Sequence, residues 1–90
     1  MGSYNFDAAQ ILSQQLTQLE WKLKWLAGVR AQQRRALLGD ETSDNWSGPK
    51  RHAFEQEFQR GQMALEQLAA SAQQTKREVD KATAQARLQG

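Results

Sequence analysis

Residues 7–38 read DAAQILSQQLTQLEWKLKWLAGVRAQQRRALL. Within this stretch Ala9, Leu12, Leu16, Leu19, Leu23 and Leu26 follow one another at spacings of three and four, and Leu37 returns to the same face. A backbone turning 100° per residue brings such positions onto one side, so the spacing predicts a long amphipathic helix. The entry is marked: Asp7 as N-cap puts Gln10 at N3, a variant of the capping box, with Phe6 and Ile11 as a hydrophobic staple. Gly39 follows as a natural C′ residue. A helix over residues 7–38 is ~48 Å long.

Downstream the periodicity stops. Gly39-Asp40-Glu41-Thr42-Ser43-Asp44-Asn45 is turn composition, and Gly48-Pro49 reads as N-cap and N1 of a second helix, where proline's missing N–H goes unneeded. From about residue 49 to 88, Phe54, Phe58, Gly61, Leu65, Leu68, Ala72, Thr75, Val79, Ala82 and Ala86 again step by four and three. Two long helices joined by a connection over residues 39–49 fold back as an antiparallel hairpin. The chain is therefore expected to be all-α and a single unit over residues 1–90. Its seam is Leu12, Leu16, Leu19, Leu23, Leu26 and Leu37 against Phe54, Phe58, Leu65, Leu68 and Val79. Pairing places Leu37 near Phe54, Leu26 near Leu65 and Leu12 near Val79.

The two helices differ in the width of their apolar face. The second carries one narrow stripe. On the first, Val29 and Ile11 extend the leucine seam to one side, followed by Trp25 and Trp21, so the apolar arc reaches roughly 220° against the ~100° one neighbour covers. A lone hairpin leaves both tryptophans largely wet. The expectation is that a second hairpin docks on helix 1 to make a four-helix bundle, with Trp21, Trp25, Val29 and Ile11 at the dimer interface.

Composition closes off other classes. Ninety residues allow one small domain, and 39% hydrophobic content with one proline fits an ordered helical chain. There is no cysteine and one histidine, so no disulfide, thiolate metal site or His-rich cluster is available, and no cofactor or metal is expected. The net charge is +2, and no block of like charge has the length of a nucleic-acid tail. No apolar run approaches the roughly 20 residues of a membrane span, and Met1-Gly2-Ser3-Tyr4-Asn5 does not start an ordinary secretory signal. His52 lies beside Lys50 and Arg51 and reads as a solvated residue. Glu55 and Glu57 point to different faces, so they are no carboxylate pair, and the protein is read as non-enzymatic.

Trp46-Ser47-Gly48 stands in the connection, immediately before the second helix. Gly48 permits a turn that a Cβ would hinder, and Trp46 can lay its indole over the end of the hairpin. Position gives this short pattern its weight: mid-chain, at the elbow of a helical hairpin of about one hundred residues without cysteine. In this the whole chain resembles the WXG family of small type VII (ESX) secretion proteins. The resemblance implies a hairpin that pairs with another WXG-type subunit and is exported folded, without a cleaved signal peptide, by a membrane ATPase-driven machine. It also implies that Trp46 and Gly48 form half of a composite export signal. The other half, a Tyr-x-x-x-Asp/Glu motif after helix 2, is missing here: the only tyrosine is Tyr4. Either a partner supplies the motif, or the sequence read here is trimmed, or the protein is a divergent member; between the two pairings, the departure favours a heterodimer over a homodimer.

Two rival readings remain at this point. A generic helical adaptor would share the hairpin and the pairing but not the export. Nucleic-acid binding would use Arg30, Arg34 and Arg35, yet Glu55 and Glu57 are expected across the hairpin as counter-charges, which makes an ion-paired face the simpler reading.

Overall fold

The computed structural model describes residues 3–38 and 48–89, and these form two helices: α1 (Phe6–Leu38) and α2 (Pro49–Gln89). The Trp46-Ser47 pair, the Gly39 cap and the rest of the elbow lie outside the described residues. Among the described residues there is no strand. The helices lie side by side and antiparallel. Ser13 meets Asp80, Ala27 meets Gln62 and Arg34 meets Glu55, so numbers rise on one helix as they fall on the other. Leu37 shares a groove with Phe54, and Leu12 shares one with Val79, as the sequence register requires. The molecule is a rod, 66 × 18 × 16 Å.

Both helix starts have local causes. Asn5 Oδ1 accepts from the Ala8 amide at 2.9 Å, and the Asn5 carbonyl accepts from the Ala9 amide at 3.1 Å. Asn5, not Asp7, is therefore the N-cap. Asparagine at this position satisfies an otherwise orphaned amide, and Asp7 sits in the first turn, where its charge favours the positive helix end. Phe6 is turned against Tyr4 instead, with ring centroids 5.0 Å apart in an edge-on arrangement. At the other helix, Gly48 has φ +69° and its carbonyl accepts from the His52 amide at 3.1 Å. A residue with a Cβ pays ~1–2 kcal/mol for that left-handed backbone. The glycine is thus needed for the chain to enter α2 at Pro49.

The seam is rotated from the one the leucine repeat predicts. Buried side chains among the described residues are Ala9, Leu38, Leu65, Ala69 and Ala72, with Leu16, Leu23, Phe54, Phe58 and Val79 half-buried. Leu12, Leu19, Leu26, Leu37 and Leu68 stay exposed. Leu38, only 2% exposed, takes the place expected of Leu37. Alanines explain the rotation. Ala9, Ala69 and Ala72 let the two backbones approach closely, and a leucine between them would hold the helices apart. The larger side chains are displaced to one side of the contact line.

Candidate functional site

Rotation of the seam gives the rod two unlike flanks. On one, Leu12, Leu19 and Leu26 recur every seven residues along α1, and Gly61, Leu68, Thr75 and Ala82 do so along α2. A seven-residue step returns to nearly the same direction on a helix, so these residues share a side. Two shallow grooves open there. One, toward the elbow, is lined by Arg30, Leu37, Phe54 and Phe58; the other, toward the free ends, by Leu12, Thr75, Val79 and Ala82. The grooves of the opposite flank mix polar and apolar side chains, Ser13, Thr17, Lys76 and Asp80 at one end and Glu20, Leu23, Ala27, Gln62, Leu65 and Glu66 further along.

The residues expected at a dimer interface form a neighbouring strip. Trp21 and Trp25 are 74% and 69% exposed, on the side of α1 turned away from α2. Ile11 is exposed and Val29 half-buried, and at 100° per residue both lie between the tryptophans and the leucines. Apolar residues therefore recur from the leucine flank around the outside of α1, interspersed with the exposed Gln15, Gln18, Lys22 and Gln33. Exposed apolar side chains grouped in this way are the kind of surface found at interaction sites.

Polar contacts fix the hairpin's register. Arg34 grips Glu55 with two bonds, Nε donating to Oε2 at 3.0 Å and Nη2 to Oε1. Its guanidinium also lies over the Phe58 ring, 5.6 Å from the centroid. Glu57, the other counter-charge expected for this cluster, pairs instead with Arg60 on its own helix at 3.4 Å. At the far end, Ser13 Oγ donates to Asp80 at 2.8 Å and Lys76 Nζ lies 2.7 Å from the same carboxylate. Tyr4 Oη and Thr83 Oγ1 are 2.7 Å apart. The Ser13–Asp80 and Tyr4–Thr83 contacts escape a hydrophobic-periodicity reading, because isolated polar residues on a helix carry no signal of what faces them.

These bonds set a pH dependence. The hydrogen bond from Arg34 holds the Glu55 carboxyl below its ordinary range. Those from Lys76, then Ser13, do the same for Asp80. A carboxylate depressed in the folded state stabilises fully above its unfolded pKa, and the contribution is lost as pH falls through the folded one. Thermal stability is therefore expected to fall on acidification below about pH 4. Glu55→Gln with Asp80→Asn is expected to flatten that fall in melts followed by circular dichroism. An unchanged slope would show that the two bonds do not form in solution.

Arg30 is placed differently from Arg34. Its guanidinium lies across Gly61 of α2, where a Cβ would collide with it, and 5.5 Å from the Phe58 ring centroid. No carboxylate among the described residues lies within ion-pair distance of it. His52 is exposed. Among the described residues no three His, Asp or Glu side chains cluster to hold a metal, and no helix is long and apolar enough to cross a membrane. No family model matches the chain, and neither a curated protein nor a solved structure does. What fold and surface define is a two-helix hairpin with one open apolar flank.

Proposed function

We propose that this protein is a non-enzymatic pairing subunit of the WXG type. It buries its open leucine flank against a second helical hairpin, giving a four-helix bundle, and the folded pair is exported by a type VII (ESX) secretion machine. The observation that carries the pairing is the leucine flank, whose Leu12, Leu19, Leu26, Leu37 and Leu68 all stay exposed, while only five residues are buried among those described. Support for the export reading is the resemblance around Trp46-Ser47-Gly48 together with the left-handed Gly48 at the entry to α2. Trp46 then acts as a recognition element in the connection ahead of α2.

The test is export from a host with an intact type VII system. Trp46→Ala is expected to remain helical, to pair normally and to stay in the cell, and deletion of the machine's ATPase is expected to retain the unaltered protein as well. Export that ignores both changes would leave a helical adaptor, paired through the same flank but unconnected with secretion. Unfolding of Trp46→Ala would reduce Trp46 to a structural plug.

A further inference from the structure

We propose that the rod has a hinge built across it at the level of Gly28 and Gly61. About this level the elbow arm, residues 29–38 and 49–60, bends against the longer arm, residues 3–27 and 62–89. Gly28 and Gly61 are the glycines that lie inside the two helices. Antiparallel packing sets them at one height: the Gln62 side-chain amide donates to the Ala27 carbonyl at 3.0 Å, and Gly61 and Gly28 are their neighbours in sequence. A glycine inside a helix weighs about fivefold against it relative to alanine. Neither glycine serves to bring the two backbones together. A Cβ at Gly28 would meet nothing within 4 Å, and at Gly61 the nearest atoms belong to the Arg30 guanidinium, the movable end of a long side chain. What the pair contributes is backbone freedom.

The packing between the helices is interrupted at the same height. Toward the elbow, Leu38, Phe54 and Phe58 are buried or half-buried, and toward the free ends Leu16, Leu23, Leu65, Ala69 and Ala72 are. Between these two groups the seam holds Ala27, Arg30, Gly61 and Gln62, all half-buried and none of them a large apolar side chain. Gln62 Oε1 is buried there with no hydrogen-bond partner. An acceptor left in that position penalises the closed arrangement, because unfolding or bending returns it to water. Each arm thus keeps apolar packing of its own, and the two meet at a level weakened in both backbones and in the seam. Helices bend and open where such weaknesses coincide. Bending there turns Leu37, on the elbow arm, against Leu12, Leu19 and Leu26, on the longer one, and so changes the shape of the leucine flank. The hinge does not depend on what covers that flank.

The experiment is amide hydrogen exchange of the full chain, read residue by residue by NMR and expressed as protection relative to the unfolded rate. Residues 28–32 and 61–65 are expected to be at least about tenfold less protected than the turns on either side of them, since both glycines and the unpaired oxygen weigh against the closed state. Gly28→Ala, whose added Cβ has open space, is expected to slow exchange about fivefold at this level in both helices. Gln62→Leu, which removes the unpaired oxygen, is expected to slow residues 28–32 by about tenfold, although the change is on the other helix. Transmission from one helix to the other separates a hinge from two weak turns that open independently. Even protection along both helices would overturn the proposal, and so would either substitution being felt only in the helix that carries it.

Discussion

Asp at both Leu19 and Leu26 is expected to abolish pairing while leaving the hairpin itself helical. The two leucines are 45% and 40% exposed, so neither fills the space between α1 and α2. In a bundle each would complete its burial against the other subunit. Full burial of a leucine is worth about 1.5–3 kcal/mol. The part still exposed contributes roughly 1 kcal/mol at each site, and four sites in a symmetric pair make a loss of about a thousandfold or more in affinity. The desolvation cost of carboxylates adds to it. Sedimentation and circular dichroism on the Leu19→Asp/Leu26→Asp variant read both halves of this expectation. Pairing that survives would move the interface to the strip of Trp21 and Trp25. The Trp21→Ala/Trp25→Ala variant separates the two surfaces directly.

Leu65→Ala is expected to act in the opposite way, on the hairpin before the pair. Leu65 is 9% exposed and, with Ala69 one turn on, shares a shallow groove with Leu23 and Ala27 of α1. Truncating a buried leucine costs about 2–5 kcal/mol through lost transfer free energy and the cavity left behind. In a chain of this size each kcal/mol is worth about 4–8 °C of melting temperature, so the variant is expected to melt at least 10 °C lower. Leu88, 88% exposed near the end of α2, is the control, and Leu88→Ala is expected to change the melt by less than about 0.5 kcal/mol. Equal effects at the two positions would mean that the helices do not pack along the line described.

Much of this architecture is legible in the amino-acid sequence. Apolar spacings of three and four define both helices, and their observed bounds, Phe6–Leu38 and Pro49–Gln89, differ from the expected ones by a single residue at the outer ends. Gly48-Pro49 marks the entry to α2, where the glycine is left-handed as its lack of a Cβ allows. Antiparallel order and register also follow from folding the two repeats back about the short connection over residues 39–49. The width of the apolar arc on helix 1 shows that one neighbour cannot cover it.

Periodicity gives a helix its period but not the direction in which it docks. A straight α-helix drifts about 20° per heptad against a seven-residue repeat. Over the length of α1 no single leucine row can therefore face α2 throughout. Which row yields depends on side-chain volume on both helices at once. Ala9, Ala69 and Ala72 take the centre because small residues let the backbones close, and Leu12, Leu19, Leu26, Leu37 and Leu68 move onto one flank. The grip of Arg34 on Glu55 and the resting of Arg30 on Gly61 arise in the same way. Each depends on which atoms stand opposite once the helices have closed to their packing distance, and the tertiary structure alone decides that.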